Sequence, residues 1–287
     1  MKILRIHDFY WADAVNTEEA ILANLGNASL YINSNFFVAY YSWSSSINNS
    51  GLAATQQMIR EFQNRVKDSA KLIFVCQHIL VDRLDWGASI VFTPHSTYKN
   101  GFQPIAHYSK FFYKPYLPIS KRPLLASFVG SYSTHNIRSR LANILQSRID
   151  CLVLDTGVWH YEKPPTQKYT YEKKYIESLK NSKFVFCPRG TGPSSIRIWE
   201  ALSSGCIPII ISDELIIPEP LAKIVPTIPS YTLRMLPNIL EELSARSCST
   251  KFLNLQDRLV SAHNKYTSND SLHIPLLQYI SIAQNVG

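Results

Sequence analysis

Short β-branched and aromatic runs recur along the chain between stretches whose apolar residues return every three or four positions, an alternation that predicts strands separated by helices. Strands are expected at residues 2–6, 36–41, 71–77 and 90–93, with a helix over 53–68. The pattern resumes with strands at 124–129, 151–154, 183–187 and 207–211, and with helices near 137–146, 170–181 and 195–204. Such alternation implies α/β architecture with parallel sheets covered on both faces. In the opening MKILRIHDFYWADAV, residues His7, Asp8 and Asp13 break the apolar segment a signal peptide needs, so this stretch reads as a buried first strand. Three prolines in KPYLPISKRP, residues 114–123, interrupt helix and strand alike and place a linker there. Two domains are therefore expected, 1–118 and 119–287. The tail, 251–283, reads as helical with a break near Pro275, and is long enough to reach back to the first domain.

Composition narrows this picture. The chain has 287 residues, 46% of them hydrophobic and 12% aromatic, which excludes disorder and suits two medium-sized domains. Its apolar runs, such as 206–211, fall well short of the ~18 residues a membrane span requires. Five cysteines, with no CxxC and no Cys/His cluster, suggest neither a disulfide framework nor a zinc site. Reduced thiols in a cytoplasmic protein fit that usage. The sequons at Asn27, Asn48 and Asn269 read as chance without a secretory signal. The net charge is +8, and residues 86–149 contain no acid but eight bases: Lys99, Lys110, Lys114, Lys121, Arg122, Arg138, Arg140 and Arg148. A one-sign zone of this kind favours an anionic ligand, phosphate above all, and also fits a plain solvated basic face.

The chemistry concentrates in SKFVFCPRGTGPSSIRIWEALSSGCIPIIISD, residues 182–213. An apolar strand ends at Cys187, a Pro/Gly turn follows, and a helix is expected to open at Ser194 or Ser195. Unpaired N–H groups and the positive end of a helix dipole would then face the carboxyl edge of a sheet, where phosphate binds. Gly190 and Gly192 permit close backbone approach, Ser194 and Ser195 add hydroxyls, and Arg189 and Arg197 add charge. Glu200, five residues past Ser195 and so about 7.5 Å along the axis, reads as a surface-facing carboxylate within reach of ribose hydroxyls. Residue by residue there are plainer accounts: Ser194 or Ser195 as a simple N-cap, Glu200 paired with Arg197, GCIPIII as an ordinary buried strand.

Taken jointly, the segment resembles the exostosin-like glycosyltransferase family. The resemblance rests on Cys187, Pro188 and Gly190; on Ser195, Arg197, Glu200 and Ala201; and on Gly205, Cys206, Ile207, Pro208 and Asp213. Upstream, KRPLLASFVG, the stretch at Arg138–Leu141, and Tyr175 with Leu179 and Ser182 are similar too. The likeness covers roughly residues 94–220 and looks most like the compact, soluble members of bacteria and large algal viruses. It implies two Rossmann-like domains facing a cleft, the GT-B arrangement, with a nucleotide-sugar donor held by the C-terminal domain and a glycan or glycoprotein acceptor by the N-terminal one. By the same resemblance Ser195 and Arg197 serve the diphosphate, Glu200 the ribose, and Gly130 and Arg138 the opposite wall, so that the basic zone lines the donor cleft. Pro188, Arg189, Gly190 and Ser194 complete the expected donor site. UDP is the implied nucleotide, and UDP-xylose the best single donor.

No DxD triplet occurs, so arginines and helix N-termini are expected to meet the leaving-group charge, with no metal or other cofactor required. An inverting transfer needs a base for the acceptor hydroxyl. Asp8, after the first strand, is the first candidate and His78 the next, with His7, Asp82, Asp85 and His95 as competitors. Trp43, Trp86, Tyr98, Phe111, Phe112, Tyr113 and Tyr116 could stack on sugars or simply fill a core. Two other classes remain open: a basic nucleic-acid-binding protein, suggested by a pI near 9.2 but without any recognisable module, and a catalytically silent nucleotide-sugar binder. No membrane span or nucleic-acid partner is expected, and the location expected is the cytoplasm of a bacterium or of a virus-infected cell.

Overall fold

A computed structural model describes residues 1–12, 16–27, 35–67, 70–157 and 165–285. It falls into two compact units. One comprises Met1–Tyr108, Leu215–Pro218 and Tyr266–Gly287; the other Ser109–Glu214 and Glu219–Lys265.

The first unit carries β1 (Lys2–Leu4), α1 (Asn16–Asn27), β2 (Phe36–Ala39), α2 (Trp43–Asn64), β3 (Lys71–Val75), β4 (Ile90–Thr93) and β5 (Gln103–Pro104). All its strand pairs are parallel, in the order β1-β2-β3-β4-β5. Alternation along β3 divides the core between two faces. Leu72 and Phe74 pack with Trp43, Ile59, Phe62 and Trp86 in one buried cluster. Val75 lies beside Phe92, whose ring meets Tyr279 of the C-terminal helix (Ile274–Asn285) edge-on at 5.6 Å.

Several expectations change here. β1 is not buried: it pairs on one side only, and Lys2 and Ile3 are exposed. α2 starts ten residues earlier than the 53–68 pattern suggests, because its first part, WSSSINNS, has no apolar period and is joined to the rest through Gly51 at φ 82. Asp68, the expected end of that helix, lies outside the described residues, as does Asp13. Pro275 does not break a helix. It sits in the first turn of the last one, where its missing N–H is not needed, while the interruption falls between Tyr266 and Ile274.

The second unit carries β6 (Leu124–Gly130), α3 (Asn136–Leu145), β7 (Cys151–Asp155), α4 (Pro165–Asn181), β8 (Ser182–Pro188), α5 (Arg197–Ser203), β9 (Ile207–Ile211), β10 (Thr227–Ile228), α6 (Leu236–Arg246) and α7 (Thr250–Tyr266). Its sheet is also parallel, in the order β10-β9-β8-β6-β7. β9 is buried throughout and β8 nearly so, as expected of strands covered on both faces. The chain steps from β6 outward to β7, then returns past β6 to lay down β8 and move the other way. This is a doubly wound order, and such sheets bind ligands outside the carboxyl ends of the two strands flanking the reversal. Those ends are Gly130 and Pro188.

One buried cation holds this unit together. Arg122, 2% exposed, donates from Nε to Leu117 O (2.9 Å), from Nη1 to Leu179 O (2.8 Å), Ser182 O (2.9 Å) and Cys206 Sγ (2.9 Å), and from Nη2 to Ser204 O (2.6 Å). Across both units, no helix among the described residues is long and apolar enough to cross a membrane.

Candidate functional site

The reversal between β6 and β8 gathers the residues the motif singles out. β6 ends on Gly130, where a side chain has no room: a Cβ would stand 1.9 Å from Arg197 Nη2. Arg197, first residue of α5, instead lays its guanidinium over that glycine, donates from Nε to Val129 O at 2.7 Å, and covers the Phe128 ring at 5.4 Å. The arrangement is mirrored one strand away. A Cβ on Gly190, two residues past β8, would lie 2.8 Å from Arg138 Nη2. Arg138, on the first turn of α3, donates from Nε to Arg189 O (2.8 Å) and from Nη1 to Ser131 O (3.0 Å), and lies 5.9 Å from the same Phe128 ring. Two glycines thus admit two arginines at the carboxyl ends of adjacent strands.

The charge gathered there is poorly compensated. Arg138 is 6% exposed, and the bonds described for it run to backbone carbonyls. Burial first, and Arg197 second, draw its guanidinium down to about 9, still charged at neutral pH. Arg189 pairs with Glu214 at 2.7 Å through Nη1, while its Nε is buried without a partner. The Ser194 and Ser195 hydroxyls are likewise buried and unpartnered. Cations over the ends of β6 and β8, and unused donors on the turn that follows β8, suit an anion there.

Two local expectations are corrected. α5 does not open at Ser194 or Ser195 but at Arg197, with Ile196 as N-cap and no side-chain cap. A seven-residue helix aligns few peptide dipoles, so the arginine side chains supply most of the field. Glu200 is not surface-facing either. It is 2% exposed and accepts from Tyr175 Oη at 2.7 Å and from Phe111 N at 3.2 Å. Burial pushes its carboxyl up to about 7 against those bonds. Within the basic zone the second unit brings Arg138 to the switch point, but commits Arg122 to its interior and Arg148 to ion pairs with Asp150 and Glu241. The zone as a whole does not line one wall.

In the first unit, the base candidates follow strand ends on one edge of the parallel sheet. Asp8 is exposed, four residues past β1. His7 Nε2 lies 3.0 Å from Glu61 Oε2. His78, three residues past β3, meets Asn48 Oδ1 through Nε2 at 3.0 Å and accepts Leu80 N–H at Nδ1; burial lowers its pKa. His95 is buried two residues past β4 and is drawn down to about 4. Asp82 and Asp85 are exposed, and Asp85 closes a turn onto Gly87 N. Trp43 and Trp86 are core residues, whereas Tyr98 is 79% exposed.

Glu18, which no motif marks, is fully buried on this edge. It accepts from Ser44 Oγ (2.5 Å) and Gln77 N (2.8 Å), and burial raises it to about 7. The acidic start of α1, Glu18 and Glu19, is its only trace in the sequence. In the second unit, His135 and Tyr132 also stand near the switch point without belonging to a motif. An N-cap residue between Gly130 and Arg138 is the signal that points to His135.

A parallel, doubly wound sheet with a cationic switch point defines a class of α/β proteins that take anionic ligands at that edge. Comparison with known families is more specific: the Exostosin GT47 domain matches residues 36–243, so the chain belongs to the exostosin GT47 family. An exostosin-1 homolog of Caenorhabditis elegans is 34% identical over 110 residues, 34% of this chain and 29% of that protein. A probable glucuronoxylan glucuronosyltransferase of Arabidopsis thaliana is 29% identical over 109 residues, 36% of this chain and 24% of that one. The matched stretches cover less than a third of these relatives. A solved glycosyltransferase from Rickettsia africae ESF-5 aligns over 99% of this chain and 98% of its own at 8% identity and a TM-score of 0.43, too loose a likeness to argue from.

Proposed function

We propose that the protein is a glycosyltransferase that moves a sugar from a nucleotide sugar to a hydroxyl of a glycan or glycoprotein, with the second unit binding the donor and the first the acceptor, as in a GT-B enzyme. The observation that carries this is the cluster at the switch point: Arg138, Arg189 and Arg197, with unused donors on Ser194 and Ser195. Gly130, Pro188 and Gly190 shape the space for the diphosphate, and Glu200, in the middle of α5, serves the ribose. In an inverting transfer a base takes the acceptor proton, the acceptor oxygen bonds to the anomeric carbon, and the bond to the diphosphate breaks with its electrons going to the phosphate oxygen. Asp8 is the first choice for the base and His78 the second. The three arginines meet the growing phosphate charge without a divalent ion.

The donor we favour is a UDP-sugar, UDP-xylose first; the relatives' names speak of glucuronosyl transfer, so UDP-glucuronate stands beside it. A thermal-shift panel of UDP-, GDP- and CDP-sugars tests the reading, since a ligand at ~100 times its Kd adds about 2.7 kcal/mol of apparent stability. Stabilisation by one nucleotide series supports it, and no response to any overturns it.

A further inference from the structure

The loop leading from β6 into α3 brings one more group to the anion site. His135 caps α3: its Nδ1 accepts the Ile137 N–H at 3.2 Å and its carbonyl accepts the Arg138 N–H at 3.0 Å. With Nδ1 used as an acceptor, the neutral ring carries its proton on Nε2, so the cap fixes the tautomer. Thr134, the residue before it, has Oγ1 3.6 Å from where a Gly190 Cβ would stand, which sets this turn directly against the turn after β8. The ring itself is half-buried. The charged groups that act on it are Arg189 from the turn after β8, Arg138 from α3, and Asp213 from the end of β9. Independently of this cap, the Ser194 and Ser195 hydroxyls, each more than nine-tenths buried, hold no partner.

Resting on the donor-site reading above, we infer that His135 binds the donor diphosphate through its Nε2–H, as a neutral hydrogen-bond donor that becomes a further positive charge on protonation. Burial first, then repulsion from Arg189 and Arg138, lowers the pKa of the imidazole and favours its neutral form, with Asp213 opposing them. An anion between these groups reverses that balance, because it stabilises the imidazolium while the arginines remain. His135 thereby adds a donor aimed at the oxygen on which charge accumulates as the sugar departs, and gives donor binding a dependence on pH that arginines alone would not produce.

Calorimetry with UDP, GDP and CDP on the whole protein tests the assignment, using His135→Asn as the informative variant. Asparagine keeps the cap, since its Oδ1 can accept the Ile137 N–H, and removes the distal N–H. We expect His135→Asn to weaken the nucleoside diphosphate that binds by about tenfold, the usual worth of a hydrogen bond to a charged group, with an unchanged melting temperature. Inorganic pyrophosphate should compete less well against the variant than against the wild type, whereas uridine should bind both alike. For UDP-xylose, whose diphosphate keeps its charge across the range, wild-type affinity should rise as pH falls from about 7.5 to about 5.5, and His135→Asn should flatten that rise. Equal diphosphate affinity in wild type and His135→Asn, or the same pH profile in both, would overturn the role of His135 and leave the donor site standing. Failure of the wild type to bind any of the three nucleotides would overturn the donor-site reading and this inference with it. Should His135→Asn unfold, His135→Ser, whose hydroxyl can accept the Ile137 N–H and which has no distal N–H, carries the same comparison.

Discussion

At Gly130 and Gly190 the absent side chain decides where a guanidinium lies. Gly130→Ala puts a methyl group 1.9 Å from Arg197 Nη2, so the guanidinium must leave the Phe128 face and the switch point. UDP affinity measured by calorimetry should fall about tenfold or more. Gly190→Ala meets Arg138 Nη2 at 2.8 Å, where the tip of a side chain can yield, and should cost less. Equal losses in the two variants would refute this ranking. Glu200 calls for a different test, because Glu200→Ala leaves Tyr175 Oη and the Phe111 N–H unpaired inside the unit and should lower stability by about 1–3 kcal/mol in addition to any loss of nucleotide. Its pKa, raised from 4.5 to about 7, gives a sign to the pH dependence. The stabilising contribution is complete below 4.5 and is lost as pH rises toward 7, where the buried group must ionise. Urea midpoints of Glu200→Gln should therefore lack that part of the decline between pH 4.5 and 7. The buried His95 and His263, lowered to about 4 and about 3, slope the other way below 6.5, so the difference between variant and parent is the quantity to compare.

Among the elements, the second sheet owes its integrity to a residue that belongs to no strand or helix. Arg122 joins the segment before β6, the end of α4, the start of β8 and the end of α5 through one guanidinium. Arg122→Met removes the charge along with the donors, and leaves four buried carbonyls without this partner. A loss of at least about 3 kcal/mol is expected, read as a lower urea midpoint, and UDP affinity at saturation of the folded fraction should be unaffected. A folded variant of wild-type stability would show that water or neighbouring N–H groups replace the guanidinium. Arg148, in the same basic zone, pairs with the half-buried Asp150 and the exposed Glu241, away from the switch point, and its replacement should cost less than that of Arg122.

For the whole molecule, donor binding and acceptor activation are proposed for different units, and the two should come apart in kinetics. Asp8→Asn keeps shape and removes basicity. Turnover should fall by ~10²-fold while UDP affinity stays as it was. Near-normal turnover would pass the role to His78, and a joint loss of stability and donor binding would end the claim. Turnover should also survive EDTA; a loss that Mn²⁺ or Mg²⁺ restores would show that an ion shares the arginines' work.

Alternation of apolar runs was enough to read the α/β class, the interior strands at 90–93 and 207–211 to the residue, and most of the helices of the second unit, because those strands pair on both sides and their sequences are correspondingly uniform. The family motif was legible for a related reason: glycines, serines and arginines at fixed spacing have few ordinary uses in a strand and the turn that follows it. Edges and polar starts of helices were not legible. β1 is an exposed edge that resembles a core strand, and WSSSINNS carries no period. Nor could spacing along the chain reveal that Glu200 points inward, that Arg122 is an internal brace while Arg138 reaches the switch point, that Glu18 is buried against Ser44 and Gln77, or that His135 caps α3. Those facts depend on which strands become neighbours, and on whether a charged side chain meets carbonyls, N–H groups or solvent, which only the tertiary structure decides.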